Sequence, residues 1–422
     1  MKKLVSSVSL VALVFLPVRC LAQQIVSPVA KAHVMIPKSS VAEPGNVDKA
    51  FTNIRIFAPP SGTNFGAHAT VPAELPPFPG LFFETPASLG CIYHLVSHRV
   101  PGCNPNLTTE NPNVGKGAGA IAVVEAFDDP TAAADLATFS NQFGLPPADL
   151  FVVFATGTNP GTDPTGGWEL EASLDLQMAH AMAPNAKLFL IEAPGQTKAE
   201  LFQAVALAGK IVVGNGGGEV SMSFGFSEFS SEASSDHFFA VPHVVYFASA
   251  GDGPGVIYPS ASPNVVSAGG TSISRDPNSG DFLLENTWQD GGGGPSQVEP
   301  RPSFQDGVQF IVGAARGTPD ISFDANPNTG VWIFDSNPVF GAGWFVVGGT
   351  SVSAPALAGI VNAAGSFLDS SQAENQELYS HMLSSGFRDI FYGTCGLNIG
   401  TFASFGYDAC TGVGVPKTLR HK

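Results

Sequence analysis

A serine follows a Gly-Gly-Thr turn in the segment VVGGTSVSAPALAGIV at 346–361. An apolar, strand-like run precedes the turn and a helical pattern follows it, which predicts Ser351 at the start of a helix. Backbone N–H groups at that position can stabilise developing negative charge, and the paired glycines let a substrate approach the backbone closely. Serine is also a common helix cap, so the position by itself fits either a nucleophile or a cap.

A serine nucleophile needs a base, and histidine is the first candidate. The nine histidines are scattered along the chain, and none stands in a His-Gly-Thr context. His180 falls within a predicted helix and is better explained as a partly buried helix residue. A Ser-His-Asp triad is therefore poorly supported. A serine esterase is disfavoured as well, because no Gly-x-Ser-x-Gly motif surrounds Ser351.

Two acidic side chains are the next candidates for the base that would activate the serine. Glu171 and Asp175 are four residues apart in a helix predicted over 168–182, so they share one face of it. Two carboxylates beside a buried face repel each other, and a shared proton with one raised pKa relieves that repulsion. Such a carboxyl group can act as a general base on serine in acid. If the pair stood alone, the better interpretation would be a solvated acidic face of the helix. The serine segment downstream makes a catalytic role the better interpretation.

The elements that must position these residues begin near residue 118, where short apolar runs alternate with helical patterns. The predicted strands are 120–127, 150–156, 186–193, 244–249 and 264–270, and the predicted helices are 131–144, 168–182 and 198–209. This alternation predicts an α/β fold with a mostly parallel central sheet flanked by helices. Sites in such folds lie at the carboxyl ends of the strands.

The start of the chain is typical of a secretory signal peptide. Lys2 and Lys3 precede an apolar run at 10–17, and a small residue, Ala22, marks the expected cleavage point. The run is too short to span a bilayer comfortably, so we expect a secreted or extracytoplasmic protein with no membrane association after cleavage. The full chain carries a net charge of −16. This acidic balance argues against nucleic acid as a partner.

Four cysteines remain after residues 1–22 are removed: Cys91, Cys103, Cys395 and Cys410. An even number in an exported chain indicates disulfides. Closeness in sequence favours the pairs Cys91–Cys103 and Cys395–Cys410, although three pairings are compatible with the sequence.

Several motifs together resemble the sedolisin family of serine-carboxyl peptidases, which are relatives of subtilisin. The matching segments are GGTSVSAP at 348–355, ELEASLDLQMAHAMAPNAK at 169–187, SAGDGPG at 249–255, YPSASPNVVSAGGT at 258–271 and IAVVEAFDDP at 121–130. They occur in the expected order, and the similarity covers about residues 85–416. The resemblance implies a subtilisin-like three-layer fold.

The resemblance also implies roles for individual residues. Ser351 would attack the peptide carbonyl, Glu171 would transfer the proton, and Asp175 would orient Glu171. Asp252, in SAGDGPG, would stabilise the oxyanion, and it must be protonated to donate a hydrogen bond. This requirement predicts an acidic pH optimum. Glu125 would have a supporting role next to the helix Asp.

A calcium site near the C-terminus is a further implication of the family. Its ligands would be the carboxylates of Asp389 and Asp408 with the backbone oxygens of Ile390 and Gly406. Carboxylate and carbonyl oxygens suit a hard cation such as Ca²⁺. Without the resemblance, the two acids would be taken as ordinary loop aspartates.

The expected organisation has three parts: a signal peptide at 1–22, a Pro/Gly-rich extension or short propiece at 23–84, and a peptidase domain with calcium-site loops at 85–422. Two features depart from the family pattern. We expect no prodomain of the usual length, because only the segment 23–84 separates the predicted signal peptide from the peptidase domain, and Phe224 in SMSFG stands where an aromatic Trp is common. The expected function is that of a secreted, monomeric acid endopeptidase acting on proteins or peptides. The alternative is a catalytically weak or inactive peptide-binding module of the same fold.

Overall fold

The computed structural model describes residues 33–71, 73–112, 117–396 and 401–419, so the predicted signal peptide lies outside the described residues. The strands are β1 (His33–Met35), β2 (Phe51–Thr52), β3 (Arg55–Ala58), β4 (Ala120–Ala126), β5 (Asp149–Phe154), β6 (Lys187–Ala193), β7 (Gly218–Met222), β8 (Phe224–Ser227), β9 (Val244–Ser249), β10 (Ile257–Tyr258), β11 (Val266–Arg275), β12 (Phe282–Thr287), β13 (Gly294–Pro300), β14 (Ala315–Thr318), β15 (Ile321–Asp324), β16 (Val331–Asp335), β17 (Gly343–Gly348), β18 (Phe387–Arg388) and β19 (Val415–Pro416). The α-helices are α1 (Pro86–Ile92), α2 (Ala132–Phe143), α3 (Gly167–Met182), α4 (Lys198–Gly214), α5 (Gln309–Val312), α6 (Thr350–Ala364) and α7 (Ser371–Ser380). Short 3₁₀ helices occupy Lys38–Ser40, Pro101–Cys103, Glu232–Phe239 and Ser303–Val308.

The central sheet has eight strands in the order β12-β11-β9-β7-β4-β6-β5, with β15 also pairing with β11. Its pairs are parallel except for β11 with β12. Most of its inner strands are buried on both faces, which explains their continuous apolar runs in the sequence. The prediction of an α/β fold with a mostly parallel sheet is confirmed.

Helices cover both faces of this sheet. On β4, Ile121 and Val123 face a core shared with α2, α3 and α6, whereas Ala122 and Val124 face a second core built with α4. Alternate residues of a strand point to opposite faces, so one strand contributes to both cores. The result is three layers, with α3 and α6 side by side on one face.

The segment before α1, which belongs to the predicted Pro/Gly-rich extension, forms short strands. Strand β3 pairs antiparallel with β17, β1 pairs with β3, and β2 pairs with β8. Ile54 and Ile56 are fully buried. This part of the predicted extension is therefore packed against the strands on either side of the candidate nucleophile.

Both favoured disulfides are present, Cys91–Cys103 and Cys395–Cys410. The first links α1 to the 3₁₀ helix at Pro101–Cys103, and the second closes the loops near the C-terminus. In the part of the chain that is described, no helix has the length and apolar character needed to cross a membrane.

Candidate active site

Ser351 is the second residue of α6 and directly follows the turn after β17. Gly349 has a φ of +106°, a conformation that favours glycine. A Cβ at this position would collide with the backbone oxygen of Asn53 and lie 2.7 Å from Asp252 Oδ2. The glycine therefore leaves room for a peptide carbonyl between Ser351 and Asp252.

Glu171 and Asp175 lie on α3, and both are fully buried. A Cβ at Gly359 of α6 would come within 2.7 Å of Met182 Cβ on α3, so a glycine is what lets the two helices approach closely. The Ser351 hydroxyl is near enough to Glu171 to lower the pKa of its carboxyl group. It donates to the Ser223 oxygen at 3.3 Å, however, and neither Glu171 oxygen has a hydrogen-bond partner among the described residues. Ser223, just after β7, donates its hydroxyl hydrogen to the Asp175 carboxylate, at 2.8 Å from Oδ1 and 2.7 Å from Oδ2.

Glu125 completes a row of carboxyl groups behind the serine. Burial raises the pKa values of Glu171, Asp175 and Glu125, and the charge of Asp175 raises those of both glutamates further. The closeness of Glu125 and Asp175 raises the pKa of Glu125 and lowers that of Asp175, although neither Glu125 oxygen makes a hydrogen bond among the described residues. Three buried carboxyl groups in contact cannot all ionise, so they share protons and titrate as one unit.

Asp252 lies in the loop after β9, on the other side of Ser351. Its Oδ1 accepts hydrogen bonds from Thr350 N at 2.7 Å and from Thr350 Oγ1 at 2.9 Å. Its Oδ2 has no hydrogen-bond partner among the described residues, and Arg55 Nη1 lies 3.7 Å from it. Burial raises the pKa of Asp252 to about 6, against the opposing effects of Arg55 and Thr350. In acid this carboxyl group is neutral and can donate a hydrogen bond.

The chain itself fills the space between these groups. Ser351 N donates to the backbone oxygen of Asn53 at 3.1 Å, and Asn53 N lies 3.2 Å from Ser351 Oγ and 3.2 Å from the oxygen of Ser223. Asn53 Nδ2 donates to Ser249 Oγ at 2.8 Å. Ser351 is fully buried as a result.

The structure brings together all five sequence-predicted residues of the reaction centre, namely Ser351, Glu171, Asp175, Asp252 and Glu125. Sequence reasoning missed Asn53 and Arg55, because no periodicity or motif marks their segment. It also missed Ser223, although the SMSFG segment that contains it had been singled out for its aromatic residue. That aromatic residue, Phe224, is fully buried, with its ring centroid 6.4 Å from that of Trp168.

The expected calcium ligands lie in one loop system. Asp389 Oδ2 accepts a hydrogen bond from Gly406 N, and Asp408 Oδ2 accepts one from Ser404 N, each at 3.1 Å. Asp389 Oδ1 is buried with no partner in the described part of the chain, which fits a carboxylate that binds a cation. Within those same residues, no cluster of three or more His, Cys, Asp or Glu side chains could hold a metal. A calcium ion there would therefore depend on backbone oxygens for much of its coordination.

Comparison with known proteins gives a consistent set of relatives. No family model matches the chain. Kumamolisin of Bacillus sp. (strain MN-32) is 30% identical over 340 residues, which is 71% of this chain and 58% of kumamolisin. Human tripeptidyl-peptidase 1 is 27% identical over 293 residues, covering 61% of this chain and 49% of that protein. The chain thus spans about half the length of these curated relatives.

The structural comparison agrees. A structure of Pseudomonas sedolisin, a serine-carboxyl proteinase complexed with two molecules of pseudo-iodotyrostatin, has a TM-score of 0.65 and 24% identity. The match covers 79% of this chain and 95% of that one. At this level of sequence identity, the structural similarity is evidence for the fold alone. Taken with the curated relatives, it shows that the chain belongs to the sedolisin family and has its subtilisin-like fold.

Proposed function

We propose that the chain is a secreted serine-carboxyl endopeptidase that hydrolyses peptide bonds of proteins in acid. The observation that carries the proposal is the order in which the chemical groups lie next to one another across the site. A backbone carbonyl lies against Ser351, with the row of buried carboxyl groups behind the serine and Asp252 at the oxygen end of the carbonyl. This is the arrangement that acyl transfer from a peptide to a serine requires.

In the proposed mechanism, Ser351 Oγ attacks the carbonyl carbon and its proton passes to Glu171. Asp175, held by Ser223, orients Glu171 and shares the remaining charge with Glu125. Ser351 N and the protonated Asp252 carboxyl group donate hydrogen bonds to the oxyanion. Glu171 then gives its proton to the leaving amine, and water releases the acyl group by the same steps in reverse order.

Endopeptidase action is favoured over exopeptidase action by the shape of the site. Polypeptide continues on both sides of Asn53 as it passes Ser351, paired with β8 on one side and with β17 on the other. A site that removes terminal residues must be closed at one end. This site accommodates chain at both ends.

Secretion and calcium are further parts of the proposal. The predicted signal peptide at 1–22 and the two disulfides support export to an oxidising compartment. Calcium would be held by Asp389 and Asp408 with backbone oxygens of Ile390 and Gly406, and the unpartnered Asp389 Oδ1 supports that assignment. Such an ion would stabilise the loops that the Cys395–Cys410 disulfide links, and it would take no part in the chemistry.

The test is digestion of a denatured protein by the purified chain after incubation in acid. We expect cleavage in the region of about pH 3–5, where Asp252 is protonated and the carboxyl row can still accept a proton. Ser351→Ala should lower the rate by at least about 10³-fold. Ser353→Ala is the matched control, because Ser353 is equally buried in the same helix and should leave the rate unchanged.

One observation favours the alternative of a peptide-binding module. Ser351 is covered by the chain's own residues, as it would be in a protein that holds a peptide without cutting it. Absence of cleavage at every pH by a folded, calcium-loaded protein would favour that function.

A further inference from the structure

Two glycines next to the candidate nucleophile lie against the same isoleucine, Ile257. Gly225 belongs to β8, two residues after Ser223, and Gly251 directly precedes Asp252. A Cβ at Gly225 would collide with Ile257 Cδ1, and a Cβ at Gly251 would lie 3.4 Å from the same atom. Because neither glycine has a Cβ, a slot remains between their backbones beside the reaction centre, and Ile257 closes it.

The residue whose carbonyl lies against Ser351 directs its side chain along one wall of this slot. In the structure that residue is Asn53, and its Nδ2 donates a hydrogen bond to Ser249 Oγ at 2.8 Å. Ser249 is fully buried at the end of β9, two residues before Gly251. A peptide substrate that pairs with β8 as an added strand, and presents its carbonyl to Ser351 in the same way, directs the side chain before the cut along the same wall.

Ile257 reaches the slot from the opposite edge of β8. The small sheet has the order β10-β8-β2, so the chain that crosses the site pairs with one edge of β8, and the strand that contains Ile257 pairs with the other. The Ile257 side chain is half-buried, and within the described residues it packs in neither of the two hydrophobic cores, whereas its neighbour Val256 packs against the second. The packing of the cores therefore does not require an isoleucine at this position.

From this arrangement we propose that Ile257 selects the residue on the N-terminal side of the cut. The slot ends at Ile257 Cδ1, so it accepts small, uncharged side chains such as those of alanine, serine and asparagine. An aromatic ring would have to displace packed atoms, which is unfavourable in a closely packed site. The residues that bound the slot are uncharged, and Ser249 Oγ provides a hydrogen bond for a polar side chain. The inference rests on the proposed peptidase function and names the substrate class of that same site.

The experiment measures kcat/KM at about pH 4 for internally quenched peptides that differ only in the residue before the cut, with the cut located by mass. After incubation in acid, the full-length wild type should cleave the alanine and asparagine peptides at least about tenfold more efficiently than the phenylalanine peptide. This size of effect is reasonable because one methylene group in an apolar pocket changes kcat/KM by about 10- to 200-fold.

Variants of Ile257 should change this preference in proportion to the atoms removed. Ile257→Ala lengthens the slot and should raise kcat/KM for the phenylalanine peptide by about tenfold or more, with little change for the alanine peptide. Ile257→Val removes only the terminal methyl group and should produce a smaller rise. Val256→Ala is the matched control, because Val256 is also half-buried but its Cγ2 lies against Gly294, 3.8 Å from the Cβ that a side chain there would have. It should leave the ratio between the two peptides unchanged.

The wild-type preference tests the inference without any variant. Cleavage of the phenylalanine peptide as efficiently as the alanine peptide would overturn the role of Ile257 and leave the proposed peptidase standing. An unchanged preference in an Ile257→Ala protein with the circular dichroism spectrum of the wild type would overturn it in the same way. If the folded wild type cleaves none of these peptides and no denatured protein, the proposed function fails, and the inference fails with it.

Discussion

At the scale of single residues, the proposed mechanism depends on carboxyl groups in different protonation states. The three behind Ser351 must share at least one negative charge to accept a proton, whereas Asp252 must be neutral to donate one. Burial raises the pKa of all four, and Asp252 reaches about 6. Asp252 meets its requirement only in acid, so activity should fall as the pH rises through the pKa of Asp252.

Asp252→Asn tests this assignment. The amide has a donor at every pH, so the variant should keep peptidase activity above pH 6, where the wild type loses it. A pH–rate profile of kcat/KM on a peptide substrate measures the shift of the alkaline limb. Asp290→Asn is the matched comparison, because the charge of Asp290 raises the pKa of Asp252, so its removal should move the alkaline limb slightly in the opposite direction, to lower pH. An alkaline limb that stays where it is in Asp252→Asn would contradict the role of Asp252.

At the scale of elements, the sequence predicted those helices and strands whose own residues show a periodic apolar pattern. It did not predict strands that form only by pairing with distant parts of the chain. Helix α3 and strands β4, β6 and β9 have apolar patterns set by burial in one compact layer, and their positions were predicted within a few residues. Strands β2 and β3 have two and four residues, too few for a period. Their conformation comes from pairing with β8 and β17, more than 150 residues away in sequence. The carboxyl pair was therefore predictable, and the chain that covers it was not.

The loops that contain Asp389 and Asp408 should depend on calcium for stability. A cation that binds only the folded state stabilises it, so chelation should lower the Tm, by about 5 °C if binding is tight. Thermal unfolding with calcium and with chelator measures the difference. Asp389→Asn should abolish it, and Asp281→Asn, half-buried just before β12, should leave it intact. Equal Tm values with and without calcium in the wild type would argue against the site.

At the scale of the whole molecule, buried acids should make the protein more stable in acid. Burial raises the pKa of Asp129 to about 6, that of Glu169 to about 7, and those of Glu192 and Asp335 to about 8. In the unfolded chain these groups have pKa values of about 4. The folded state therefore binds more protons between about pH 4 and pH 8, and its stability falls across that range as the pH rises.

The prediction is a higher Tm at pH 4 than at pH 7, the reverse of ordinary acid denaturation. Glu192→Gln should reduce the difference, because the amide is neutral throughout and can still accept the hydrogen bond from Asp129 N, which is 2.9 Å long. Glu43→Gln, on the surface, is the control and should not change it. Calorimetry at the two pH values, on Ser351→Ala chains to prevent self-digestion, measures the effect. A Tm that rises from pH 4 to pH 7 would contradict this account.

The central claim is that Glu171 is the base for Ser351. Its most direct test is the pH–rate profile of Glu171→Gln beside Glu169→Gln, an acid two residues earlier in the same buried helix. We expect Glu171→Gln to lose about 10²- to 10⁴-fold in kcat across the whole acid range, with KM little changed. Glu169→Gln should retain the wild-type profile. Near-normal kcat in a folded Glu171→Gln protein would contradict the carboxyl mechanism.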